Sequence, residues 1–304
     1  MHKHRKSRQI SKELVVLRYL NARMTLLDQD WKNYFSLAKG FEGEVKFDQL
    51  TEKLESECIV INGLLLKVDN SFFQIDTVLI FQNTIYLIDV KNYEGDYEFQ
   101  SKNLKHIKTD KIIKDPYIQL QRCETMFRQL LQELGFQFNV ESHLIYINPE
   151  FTMYQAPQNP SVIFPTQINR FMQTLNKVPS KLNSGHEKLA DLLISMDVGE
   201  YPFAAKPDYD YESLKKGIVD PSGHGFMVAV NDMKLKCCKC RFEETVESAV
   251  KRSVEEFKIL FPERRVTTTE IYNWCKVVRS RRAITRILKK HFRLCGKGRF
   301  SYFV

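Results

Sequence analysis

Two strand-like runs, FFQIDTVLIF (72–81) and TIYLIDVKNY (84–93), carry Asp76, Asp89 and Lys91 in otherwise apolar company. Side chains alternate faces along a strand. This sets Asp76 with Val78 and Ile80, and Asp89 and Lys91 with Ile85 and Leu87. A turn at Gln82-Asn83 pairs positions whose numbers sum to 165. Asp76 and Asp89 then become direct cross-strand neighbours, with Cβ atoms about 5 Å apart, and Lys91 lies two residues along on the same side. Two carboxylates that close in an apolar sheet repel each other, and burying either unpaired costs roughly several kcal/mol. A divalent cation between them removes both penalties. Mg²⁺ (or Mn²⁺) takes one or two carboxylates together with waters and phosphate oxygens. Such a site supports phosphodiester hydrolysis: the cation activates water and stabilises the leaving oxygen, while a lysine orients the water or neutralises charge growing on phosphorus. The competing reading is an ion pair of Lys91 with one or both aspartates, which leaves a surplus negative charge in the sheet.

These residues need a sheet buried on both sides. Both faces of the two runs are apolar, which predicts helices above and below. Apolar spacing at Leu14, Leu17, Leu20 and Met24 predicts one or two helices over 8–39. Phe41, Val45, Phe47, Leu50 and Leu54 form the inner side of a further helix ending near Glu57. Strand-like runs follow at 58–68, 72–81, 84–93, 95–99 and 103–107. Asp115-Pro116 starts a helix that Gly135 closes, and a strand at 138–148 and a short helix at 165–175 complete a mixed α/β domain.

The ordered set Gly40-Phe41-Glu42-Gly43-Glu44, Gln74-Ile75-Asp76, IYLIDVKNYEG (85–95) and Asp115-Pro116 with Gln119 resembles the nuclease-related domain, or NERD, family. That family looks like a branch of the PD-(D/E)XK nuclease superfamily, so the resemblance implies a restriction-endonuclease-like core. It covers roughly residues 38–150. It further implies that Glu44 reaches the metal from the preceding helix, that Asp76 is a metal ligand, that Asp89 and Lys91 are the acid and lysine of the D/E-x-K pair, and that Gln119 completes the site. Asp89 stands where many members have glutamate, and Asp115 where asparagine is frequent.

The net charge is +9, but residues 264–304 hold twelve Lys/Arg against Glu270 alone, leaving the first 263 residues at −2. A near-neutral body with a basic tail is the footprint of a polyanion binder. Thr267-Thr268-Thr269-Glu270 has the form of a capping box, with Ile271, Trp274 and Val278 inward on the helix that follows. A second helix turns Ile284, Ile287 and Leu288 inward. Its outer side presents Arg281, Arg282, Arg286, Lys289 and Lys290, followed by a Gly296-Lys297-Gly298 turn between strand-like runs. Helix, turn, helix and basic hairpin resemble a winged-helix DNA-binding domain, whose second helix enters the major groove of duplex DNA. Arg279, Arg281, Arg282 and Arg286 are placed to read bases, and Lys289, Lys290, Lys297 and Arg299 to contact phosphates.

Cys237 and Cys240 form one C-x-x-C with His224 as the nearest third candidate. A structural zinc site needs four ligands, and no second C-x-x-C exists, so reduced thiols or a degenerate ribbon are expected. The seven scattered cysteines fit a reducing, cytoplasmic setting. No apolar run reaches the roughly 18 residues that span a bilayer, and the N-terminal start mixes charges with apolar residues, unlike a signal peptide. The expected layout is an N-terminal helical segment (1–39), a nuclease-like α/β domain (40–178), a linker region (179–240) and a basic winged-helix-like domain (241–304). The expected function is Mg²⁺-dependent DNA cleavage, and the alternative is a DNA-binding or regulatory protein that keeps the fold without turnover. No residue selects DNA over RNA, and none fixes an oligomeric state.

Overall fold

The computed structural model describes residues 3–201 and 207–304. They form two compact units, one from residues 3–11 and 36–201, the other from 12–35 and 207–304. The elements of the first half run β1 (Lys3–Lys6), α1 (Lys12–Arg23), α2 (Asp28–Thr51), β2 (Ile59–Val68), β3 (Ser71–Ile80), β4 (Thr84–Lys91), β5 (Gly95–Gln100), β6 (Asn103–His106) and β7 (Ile112–Lys114). Next come α3 (Pro116–Glu133), β8 (Asn139–Tyr146), β9 (Phe151–Tyr154), β10 (Val162–Ile163), α4 (Ile168–Lys177) and α5 (Ser184–Ser195). The remainder is β11 (Met227–Ala229), β12 (Lys234–Cys237), β13 (Glu243–Thr245), α6 (Val246–Leu260), α7 (Thr268–Cys275), α8 (Arg281–His291), β14 (Leu294–Cys295) and β15 (Tyr302–Phe303). Position 39/40 lies inside α2, which is continuous. None of these helices is long and apolar enough to cross a membrane.

The first unit is built on a mixed six-stranded sheet in the order β1-β2-β3-β4-β8-β10. Strands β2, β3 and β4 are antiparallel, whereas β8 runs parallel to β4. Phe127, Leu130 and Leu131 of α3 with Leu189 and Leu193 of α5 cover one face. Phe47 of α2 with Phe171 and Leu175 of α4 cover the other. Burial on both sides is what makes these strands continuous apolar runs. Asp115 caps α3 by accepting the Tyr117 N–H at 3.0 Å, and Gly135 (φ +75°) follows the helix end. A second sheet, β7-β6-β5-β9, packs Tyr97, Leu104 and Phe151 against Tyr146. The strands β1, β7, β9 and β10 carry no periodic signal in the sequence; each has two to four residues, too few to show one.

The predicted β3–β4 register holds: Thr77 faces Ile88, and Ile80 faces Ile85. Simple alternation does not. Phe73 and Ile75 share one core with Val78 and Ile80, and on β2 Ile59 and Ile61 share it with Leu64 and Leu66. Both strands therefore change phase at one level. Pairing passes from Asn62–Thr77 to Leu64–Ile75, stepping over Gly63 and Asp76, and Gly63 has φ +63°. A residue that steps out of the pleat on each strand keeps the register but exchanges the faces. Asp76 is thus not aligned with Val78 and Ile80 on one face, as period-two spacing predicts.

The second unit contains α1, the three helices α6–α8, the antiparallel hairpin β14–β15 and a three-stranded sheet β11-β12-β13. Its core centres on Trp274, Phe257, Ile271, Ile284 and Leu288. Thr267 caps α7 by accepting the Glu270 N–H at 3.2 Å. The Glu270 carboxylate turns to Arg264 instead of back to the cap, so only half of the predicted capping box forms.

Candidate active site

The sheet break creates the acidic site. Freed from the ladder, the Asp76 carboxylate accepts the Val90 N–H at 2.8 Å and so replaces a backbone partner on β4. Asp89 follows on the next level, and its Oδ1 accepts from the Lys91 ammonium at 2.7 Å. The other Asp89 oxygen, Oδ2, is buried and has no hydrogen-bond partner. Glu44 comes from α2, which approaches β4 closely because residue 43 is glycine. A Cβ there would stand 2.6 Å from the Asn92 Cβ and 3.1 Å from Ile147. Gly40, by contrast, faces open space.

Charge is crowded here. Burial pushes Glu44 up to about 7; repulsion from Asp76 adds to the shift and Arg8 opposes it. Burial likewise pushes Asp89 up to about 7, opposed by Lys91 and helped by Asp76. Burial disfavours the Lys91 cation, but Asp89 and Asp76 outweigh it and hold its pKa above the ordinary lysine value.

One partner was absent from the sequence reading. Arg8, 4% exposed, donates to Glu44 at 2.6 Å and grips Asp48 with two bonds of 2.8 Å. It also donates to the Asp76 carbonyl at 2.9 Å and the Thr77 hydroxyl at 3.1 Å. Lys6 donates to the carbonyls of Asn62 (3.1 Å) and Gly63. Basic residues of the N-terminal segment therefore satisfy carbonyls around the sheet break, a requirement for buried backbone. The one visible hint was Asp48, four residues after Glu44 and so on the same helix face. Arg8 itself opened the stretch predicted as helical, whereas the first helix begins at Lys12.

Four carboxylates (Glu44, Asp48, Asp76 and Asp89) thus meet two cations, Arg8 and Lys91. The donors are all oxygens, one of them is buried and unpartnered, and negative charge is in surplus. That set fits a hard divalent cation such as Mg²⁺ or Mn²⁺.

Residues 39–147 match the family model described as NERD, the nuclease-related domain. No curated protein and no solved structure matches the chain. The matched residues include Glu44, Asp76, Asp89, Lys91 and Gln119, while Arg8 lies before them and the basic tail after them. Gln119 is exposed in the first turn of α3 and bonds to no described residue. One turn further on, Cys123 donates to the Gln74 carbonyl at 3.5 Å. Its thiol is pushed up to about 11 by burial, with Asp89 and Asp76 contributing.

Outside the matched residues, α8 buries Ile284, Ile287 and Leu288 and exposes Arg281, Arg282, Arg286, Lys289 and Lys290. Two of these are tied back. Arg281 donates to the Thr269 hydroxyl, and Lys290 pairs with Glu247 at 2.7 Å. Arg279, Arg282, Arg286, Lys289 and Lys297 are exposed without an acidic partner among the described residues. The side chain of Arg299 lies outside the described residues. Arg279, Arg282 and Arg286 line a groove of about 440 Å³ with Val230 and Met233 of the β11–β12 tip. Cys237 is buried, Cys240 exposed, and His224 stands beside Asp220, with Nδ1 3.6 Å from Oδ1.

Proposed function

We propose that this protein is a metal-dependent deoxyribonuclease whose nuclease-related domain works as a PD-(D/E)XK phosphodiesterase. The observation that carries the reading is the unbalanced acidic site, with the buried, unpartnered Oδ2 of Asp89 at its centre. Glu44, Asp76 and Asp89 would hold Mg²⁺ or Mn²⁺. When bound, the ion supplies water activation and charge stabilisation at the scissile phosphate. The Val90 amide holds Asp76 in place, and the Asp89 contact fixes the Lys91 ammonium where it can orient a water or meet developing negative charge. Gln119, one turn before Cys123 on α3, is proposed to complete the site.

The second unit is proposed to bring the enzyme to duplex DNA as a winged helix. In this reading α8 lies in the major groove and β14–β15 forms the wing. Arg279, Arg281 and Arg282 reach base edges at its start, Arg286 contacts DNA further along the same exposed side, and Lys289, Lys290, Lys297 and Arg299 contact phosphates. The unpaired basic side chains of α8 support it, because sequence-independent affinity comes mainly from cations free to neutralise phosphate.

A second reading, a DNA-binding or regulatory protein without turnover, is favoured by Arg8, whose guanidinium already occupies Glu44 and Asp48. A cleavage assay separates the two readings. The purified chain is incubated with linear, circular, single-stranded and branched DNA, with Mg²⁺, with Mn²⁺ and with EDTA. Metal-dependent cleavage that disappears in Asp89→Ala and Lys91→Ala supports the nuclease. Full activity in both folded variants would sink this site, and binding without cleavage on every substrate would favour the second reading.

A further inference from the structure

Two turns meet at one end of the β11-β12-β13 sheet, and they are built alike. In the first, the Asp220 carboxylate accepts the Ser222 N–H at 2.9 Å and the Gly225 N–H at 2.7 Å. Its Gly223 N–H bonds the Asp220 carbonyl at 3.0 Å, and Gly223 has φ +76°. In the second, the Cys237 sulfur accepts the Lys239 N–H at 3.4 Å. Here Arg241 bonds the Cys237 carbonyl at 3.2 Å and has φ +61°.

The turns face each other. Cys237 Sγ lies 3.5 Å from Asp220 Oδ2, and the ligand atoms of Asp220, Cys237 and Cys240 all lie within 4.8 Å of one another. Asp220 is only 3% exposed and Cys237 1%. Apart from backbone amides, the carboxylate meets only this thiol and the His224 imidazole, with no lysine or arginine beside it among the described residues. The His224 ring is more than half exposed and has room to turn.

We propose that Asp220, His224, Cys237 and Cys240 bind one zinc ion. Zinc accepts thiolate, imidazole and carboxylate donors in a closed four-coordinate structural site, and two soft thiolates select it over magnesium. Binding releases the two thiol protons to solvent. A search for a second C-x-x-C misses this site because its other half has the form D-x-x-x-H. The ion would tie the two turns together at the base of the β11–β12 hairpin, whose tip lines the groove beside Arg282 and Arg286.

The test uses the full chain, purified without chelator. The expected result is one zinc per chain by elemental analysis. Cobalt substitution should give the visible bands of a tetrahedral site and near-ultraviolet thiolate-to-cobalt charge transfer. The acidic site of the nuclease-related domain has only oxygen donors and cannot give that charge transfer. Cys237→Ser with Cys240→Ser should abolish the band. Asp220→Asn and His224→Ala should each weaken zinc binding by at least the roughly tenfold that loss of an outer-shell partner costs. A chain without stoichiometric zinc, a cobalt spectrum lacking thiolate charge transfer, or wild-type affinity in Asp220→Asn would overturn the proposal. Should the double cysteine variant not fold, the cobalt spectrum of the unaltered chain still decides.

Discussion

Arg8 in the first unit and Arg23 in the second are both buried and both donate to carboxylates, yet the charge around them balances differently. Arg23 is fully buried and forks onto Glu256 with two bonds of 2.7 Å. Its remaining donors reach the carbonyls of Lys215 (2.7 Å) and Gly217 (3.0 Å), and its guanidinium stacks 3.8 Å from the Trp274 ring centre. One cation meets one anion, and four of the five N–H donors are used. Arg8 and Lys91 instead face four carboxylates. A buried pair in balance is structural, whereas a buried cluster left in surplus is a place where a further cation belongs.

The largest expected effect breaks this comparison outright. Asp76→Ala should lower Mg²⁺-dependent cleavage by about 10³-fold, the scale of losing a preorganised electrostatic group, while circular dichroism shows an unchanged fold. Retained cleavage would put the chemistry elsewhere. Arg23→Ala should cost the second unit about 3–5 kcal/mol, because Glu256 is left charged and unpaired. Urea unfolding should read that loss equally with and without Mg²⁺. Arg8→Ala should behave otherwise, with Mg²⁺ restoring most of its loss; the same loss with and without the ion would make Arg8 a second Arg23.

Gly43→Ala sharpens the geometry of the acidic side. The new methyl group must displace Asn92, at a cost of about 1–3 kcal/mol, and cleavage should fall with it as Glu44 shifts. On the basic side, Arg282→Ala with Arg286→Ala should leave stability unchanged and weaken DNA binding across sequences. The salt dependence of binding should then fall by about one unit of slope per phosphate contact removed. Unchanged salt dependence would move the DNA contact away from α8.

The smallest effect is a pH slope. Glu44 and Asp89 titrate higher in the folded chain than in an unfolded one, so the folded, metal-free chain binds more protons. Their contribution to stability is full below the ordinary carboxylate range and is lost as pH rises through about 7. Thermal unfolding of the metal-free protein should show this decline between roughly pH 4 and 7. Asp89→Asn should flatten it, and added Mg²⁺ should oppose it increasingly at the upper end, since metal binding needs ionised ligands. A wild-type slope equal to that of Asp89→Asn would remove Asp89 from the account.

The sequence by itself determined the β3–β4 register, the start and end of α3, and that Glu44, Asp76, Asp89 and Lys91 come together. All of these follow from short-range rules of alternation, turn length and capping, or from a motif within one stretch of chain. It also located the basic tail and the inward and outward sides of α8. Only the tertiary structure decided the rest. The phase change at Gly63 and Asp76 depends on two strands stepping out of the pleat together, and period-two spacing within either strand carries no sign of it. Arg8 meets Asp76 across 68 positions, and Asp220 meets Cys237 across 17. Such partners are chosen by which buried charges and carbonyls remain unsatisfied once the chain has packed, and no local pattern records that need.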